Sequence, residues 1–109
     1  MSVVEIARVF GLAGDSRIYR SIESIEAGEI VAHVLCADLA YGSVMMSVSR
    51  AADLWKQFLA LFDGEDIKFV TNAGTQLDSW DPATQATFDM GVIVVGSTKA
   101  GCLWVEDED

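Results

Sequence analysis

The stretch that most constrains this chain is Gly91-Val92-Ile93-Val94-Val95-Gly96, which lacks a single polar side chain. A short apolar run rich in β-branched residues and bounded by glycines reads as a strand buried on both faces. Ser97-Thr98-Lys99-Ala100-Gly101 follows as a turn, and Cys102-Leu103-Trp104-Val105 runs back, which predicts a C-terminal β-hairpin. A strand covered on both sides needs layers above and below it. The rest of the sequence must therefore supply apolar faces.

The clearest supplier is residues 50–62, where Leu54, Trp55, Phe58, Leu59, Leu61 and Phe62 form a broad helical stripe. Ser49 is the expected cap and Gly64 the terminator. Val3, Ile6, Ala7 and Phe10 share one face of a helix that Ser2 would cap. Ile18, Ile22 and Ile25 suggest a second N-terminal helix over about 16–27, with Gly28 at its end. Residues 29–40 are ambiguous: Ile30, Val31, Val34 and Leu35 suit a helix, but β-branching favours a strand at about 30–38. Tyr41-Gly42 and Val44–Val48 would then complete a hairpin. Ile67–Thr71 reads as a short strand, Asn72-Ala73-Gly74 as its turn, and residues 82–87 as a helical turn behind Asp81. The fold expected is α+β: an antiparallel sheet, two N-terminal helices, one central amphipathic helix over 50–62 and the C-terminal hairpin. Residues 1–109 form one domain with a short acidic tail.

Charge narrows the function classes. The formal net charge is −10, and it is unevenly spread. Residues 1–56 hold seven acids and five bases, whereas residues 57–109 hold ten acids against Lys68 and Lys99 alone. Such a field repels nucleic acid and anionic membrane and attracts basic partners, although it also simply confers solubility. No apolar run is long enough to cross a bilayer, and Glu5 stands where a signal peptide would carry a base. A cytoplasmic protein is expected. Cys36 and Cys102 are too few for a disulfide scaffold and read as buried thiols.

Catalytic, metal and phosphate signatures are missing. His33 is the one histidine; it lies three residues from Cys36, adjacent on a helix but on opposite faces of a strand. There is no CxxC pair, HExxH or calcium-loop pattern, and Gly11–Gly14 lacks the lysine of a phosphate loop. The cluster Asp63, Glu65 and Asp66 reads as a solvated turn. No enzyme activity, cofactor or metal is expected.

Surface recognition is what remains. Asp78-Ser79-Trp80-Asp81, Asp89, and Trp104 followed by Glu106 and Asp107 place aromatic anchors beside carboxylates. Both indoles also fit half-buried core edges, and the two readings stay open. In size, charge and this pattern the chain resembles the small acidic toxin-immunity proteins of bacteria, including inhibitors of the barstar kind. The resemblance is one of type and carries no specific motif. It implies a cytoplasmic protein that occludes a basic surface on a toxin such as a nuclease. Asp78, Asp81, Asp89, Glu106 and Asp107 would then supply charge, with Trp80 and Trp104 as anchors. Two other classes share these features: a phage-encoded mimic of nucleic acid that blocks a host defence, and an acidic adaptor, for example a homodimer through an exposed hairpin edge.

Overall fold

The computed structural model describes residues 2–77 and 79–108. The fold is α+β, as expected. Three helices accompany a four-stranded antiparallel sheet with strand order β1-β2-β3-β4: β1 Arg20–Ile22, β2 Lys68–Thr71, β3 Phe88–Val95 and β4 Ala100–Asp107. The hairpin is present and longer than the sequence suggests. Its register pairs Phe88 with Asp107 at one end and Val95 with Ala100 at the other. The Gly96 amide donates to the Lys99 carbonyl at 2.8 Å, so the loop is only Ser97-Thr98. Gly101, expected in the turn, lies inside β4. A methyl group there would come within 2.8 Å of the Phe58 ring, so only glycine lets that ring lie against the strand.

Alternation along β3 sends its side chains to two cores. Met90, Val92 and Val94 face one layer with Phe69, Ala27, Ile30, Val31, Val34 and Phe62. Ile93 faces the other, with Val70, Ile6, Ala7, Leu12 and Ala83. Helices α2 (Ser24–Cys36) and α3 (Val48–Ala60) supply the first layer, and α1 (Val3–Val9) supplies the second.

Helix α1 matches expectation. The Ser2 hydroxyl accepts from the Glu5 amide at 3.2 Å while Glu5 reaches back to the Ser2 amide, a reciprocal cap. Helix α3 starts two residues earlier than predicted, because Ser47 rather than Ser49 is the cap and accepts from the Arg50 amide. Gly64, at φ +80°, sits in the turn after it.

The second N-terminal helix is displaced. Residues 16–27 do not form one helix: Ser16–Ile18 is a 3₁₀ turn, Arg20–Ile22 is strand β1 on β2, and only then does α2 begin. Ile18 and Ile22 thus enter opposite cores, and Ile25 is left 79% exposed. The strand expected at 30–38 is the C-terminal part of α2. Ala27, Ile30, Val31 and Val34 recur at helical spacing and are all buried, so the continuous stripe outweighs the strand preference of β-branched residues. Gly28 is no terminator. It lies mid-helix, where an added methyl would sit 3.6 Å from the Trp55 indole nitrogen of α3. Of the proposed 30–48 hairpin only an isolated bridge between Ala37 and Val44 exists, and Val44 is 86% exposed. The helical turn expected at 82–87 is a series of bends. No helix among the described residues is long and apolar enough to cross a membrane.

Candidate functional site

The open end of the hairpin gathers most of the residues singled out by the sequence, and β2 explains how. After Thr71 the ladder between β2 and β3 gives way to side chains. The Thr71 hydroxyl donates to the Gly91 carbonyl at 2.6 Å, and the Gly91 amide donates to the Asn72 side-chain oxygen at 3.2 Å. The Asn72 amide group donates to the carbonyls of Asp81 and Asp89 and to the Asp89 carboxylate. One buried asparagine thus staples the 72–81 loop onto β3.

Asp89 is the centre of this arrangement, and it corrects an expectation. It is not a surface acid: its side chain is fully buried, with 0% exposure. Oδ1 accepts from Asn72 Nδ2 at 3.1 Å, the Ala83 amide at 3.0 Å and the Trp104 indole N–H at 3.1 Å. Among the described residues no ion pair reaches it. Three converging N–H donors hold a carboxylate in an apolar setting, which is structural work. A strand that begins at Phe88 puts Asp89 in phase with Gly91 and Ile93, on the buried face. Ala83 is held twice, since its carbonyl also accepts from the Ala13 amide at 2.7 Å. The Ala83 backbone is committed to Asp89 and Ala13 and the Thr87 amide to Glu108, so neither bonds within a helical turn over 82–87.

Trp104 is half-buried. Besides its bond to Asp89, its ring meets Tyr19 edge-on with centroids 6.4 Å apart and lies across Gly91 on β3. A methyl at Gly91 would come within 2.2 Å of the Leu103 carbonyl and 2.6 Å of the Trp104 ring, so glycine is required. Burial first, and the Asp89 charge second, push the Tyr19 hydroxyl up to about 12. Trp80 is also half-buried, tilted on Phe88 at 5.5 Å, and lines a groove with His33, Leu39 and Met90. Both indoles therefore take the core-edge role.

The remaining acids divide. Asp81 and Glu106 are exposed. Glu106 and Glu108 line one open groove of about 710 Å³ with Leu12, Pro82 and Gln85. Asp107 points to the other face and accepts from the Leu39 amide at 2.9 Å, anchoring the loop after α2. The expected acidic tail is therefore in part strand: Glu106 and Asp107 belong to β4, and Glu108 accepts from the amide and hydroxyl of Thr87. Asp78 lies outside the described residues. Among those described, the ion pairs are Arg17–Asp15, Arg20–Glu26 and Lys99–Glu65; none involves Asp81, Glu106 or Glu108.

Elsewhere the residues weighed for chemistry are separated. His33 and Cys36 do share helix α2, but no hydrogen bond joins them. Cys36 and Cys102 are free thiols, both half-buried, and burial pushes Cys102 up to about 11, away from a reactive thiolate. Glu65 is no idle member of a solvated turn. It accepts from the Thr98 amide at 2.8 Å and lies 3.5 Å from the Lys99 ammonium, and the bond from Thr98 is the main cause holding its carboxyl below the usual range. No group of three or more potential metal ligands occurs among the described residues. Compared with known proteins, the chain matches no family model, no curated protein and no solved structure.

Proposed function

We propose that this chain is a small acidic inhibitor of the toxin-immunity kind, a non-catalytic cytoplasmic bacterial protein that neutralises a cognate toxin by occluding a basic surface on that toxin. The observation that carries the reading is the set of exposed carboxylates at the open end of the hairpin that form no ion pair among the described residues: Asp81 and Glu106, with Glu108 beside Glu106. Asp89, Asn72 and Trp104 support it indirectly, because they fix the backbone from which these acids project. Carboxylates on a rigid support meet lysines and arginines with little loss of conformational freedom, and a net charge of −10 speeds encounter with a cationic surface. A basic cleft built to hold phosphates, as in a nuclease, is the matching target.

The test uses the source cell. Wild-type protein immobilised in its lysate is expected to capture a cationic protein that is lost at high salt. Expressed alone, that protein should arrest growth, and co-expression should restore it. The double variant Asp81→Lys/Glu106→Lys should stay folded and lose both capture and rescue by well over about tenfold. Undiminished rescue by that variant would remove the acidic face from the account.

A further inference from the structure

The outer edge of β4, which shares Glu106 with the acidic face, is a second exposed surface. The Gly96–Lys99 bond sets the phase of the hairpin ladder: Gly101, Leu103, Val105 and Asp107 exchange hydrogen bonds with β3. Ala100, Cys102, Trp104 and Glu106 therefore turn their N–H and C=O groups outward. Among the described residues no hydrogen bond reaches those groups from any other segment. The strand is eight residues long, contains no proline, and is half-buried from Ala100 through Val105. A regular edge of that length is a template for another strand.

We propose that this edge is a self-association surface, on which β4 of a second copy of the chain adds antiparallel about a twofold axis at Leu103. The sequence of the edge is complementary to its own reverse. In that register Gly101 faces Val105 of the other copy and Cys102 faces its Trp104, small against large on each face of the sheet. Ala100 faces Glu106, and Lys99, just before the strand, faces Asp107. A parallel arrangement would instead stack Glu106 and Asp107 on their own counterparts. A wholly basic partner strand would place a cation against Lys99. The outward backbone of Ala100, Cys102, Trp104 and Glu106 meets its counterpart in alternate hydrogen-bonded pairs, and the interface is isologous.

Two bodies of charge −10 repel each other, so added salt should strengthen this association. Capture of a cationic partner responds to salt in the opposite sense, and the two ideas therefore fail separately. Sedimentation equilibrium of the full chain, from about 10 μM to about 1 mM protein and at about 0.05 M and about 0.5 M salt, is expected to show a monomer–dimer equilibrium tighter at the higher salt. Cys102→Pro removes an outward N–H while sparing the bonds to β3, and should weaken the dimer by at least about tenfold. In a chain carrying Cys36→Ser and Cys102→Ser, Leu103→Cys should oxidise to a disulfide dimer, since the axis residue sits opposite its own copy at a non-hydrogen-bonded pair. An exposed Ser16→Cys control in the same background should crosslink far more slowly. A monomer under all conditions, crosslinking no faster than the control, or a dimer indifferent to a folded Cys102→Pro chain would each overturn the proposal. Should Cys102→Pro unfold the chain, the crosslink decides.

Discussion

β3 and β4 are the two arms of one hairpin, and their registered carboxylates, Asp89 and Glu106, have opposite fates. β3 is an inner strand paired with β2 from Val92 to Val95, and beyond that ladder Asn72 and the Ala83 segment close over Asp89, which is sealed in and held by amide and indole donors. β4 has a strand on one side only, and Glu106 remains exposed. Two acids of nearly the same chemistry, at one rung of one ladder, thus divide into scaffold and surface. Position in the sheet decides which charges reach the surface. The count of acids in the sequence does not.

The contrast is broken most severely at Asp89. Asp89→Ala strands the Ala83 amide, the Trp104 indole and part of Asn72 in a buried site, and should cost about 3–5 kcal/mol. Urea unfolding followed by Trp fluorescence would measure it, and a loss below about 1 kcal/mol would mean that the donors find other acceptors. Gly91→Ala comes next. Its methyl meets the Leu103 carbonyl, and separating the arms to admit it should cost about 1–3 kcal/mol by the same assay.

A smaller effect comes from alkali. Cys102 rises from 9.0 to about 11 and Tyr19 from 10.0 to about 12, both chiefly through burial. Each group is thus harder to ionise in the folded chain than in the unfolded one. Their stabilisation is complete below about pH 9 and is lost as pH rises through the folded values, so melting temperature should fall between about pH 9 and 12. Cys102→Ser should remove the earlier part of that decline. Smallest of all, Glu106→Lys should shift stability by no more than about 0.5 kcal/mol, because that carboxylate is exposed and forms no ion pair among the described residues.

These differences also explain what could be read in advance. The hairpin and α3 are legible because each has strong local patterning and neighbours that agree with it. Helix α2 is not, because Ile30, Val31 and Val34 satisfy both a strand preference and a helical stripe. What settles the matter is packing: Ala27, Ile30, Val31 and Val34 are buried together in one core with Phe62, Phe69 and Val92, residues far apart in sequence. Asp89 is misread for a related reason. Its setting in the chain is a polar, turn-rich stretch, and its burial depends on Asn72, Ala83 and Trp104 arriving from three other places. Asp81 and Glu106 are exposed, and among the described residues no such donors converge on their carboxylates.

Amide hydrogen exchange, resolved residue by residue along the hairpin in dilute protein, tests the sealed-inner, open-outer account most directly. Protection should be continuous along β3 from Met90 to Val94 and should alternate along β4, with Gly101, Leu103 and Val105 slow and Cys102, Trp104 and Glu106 fast. Uniform protection along β4 in the dilute monomer, or rapid exchange through the middle of β3, would contradict it.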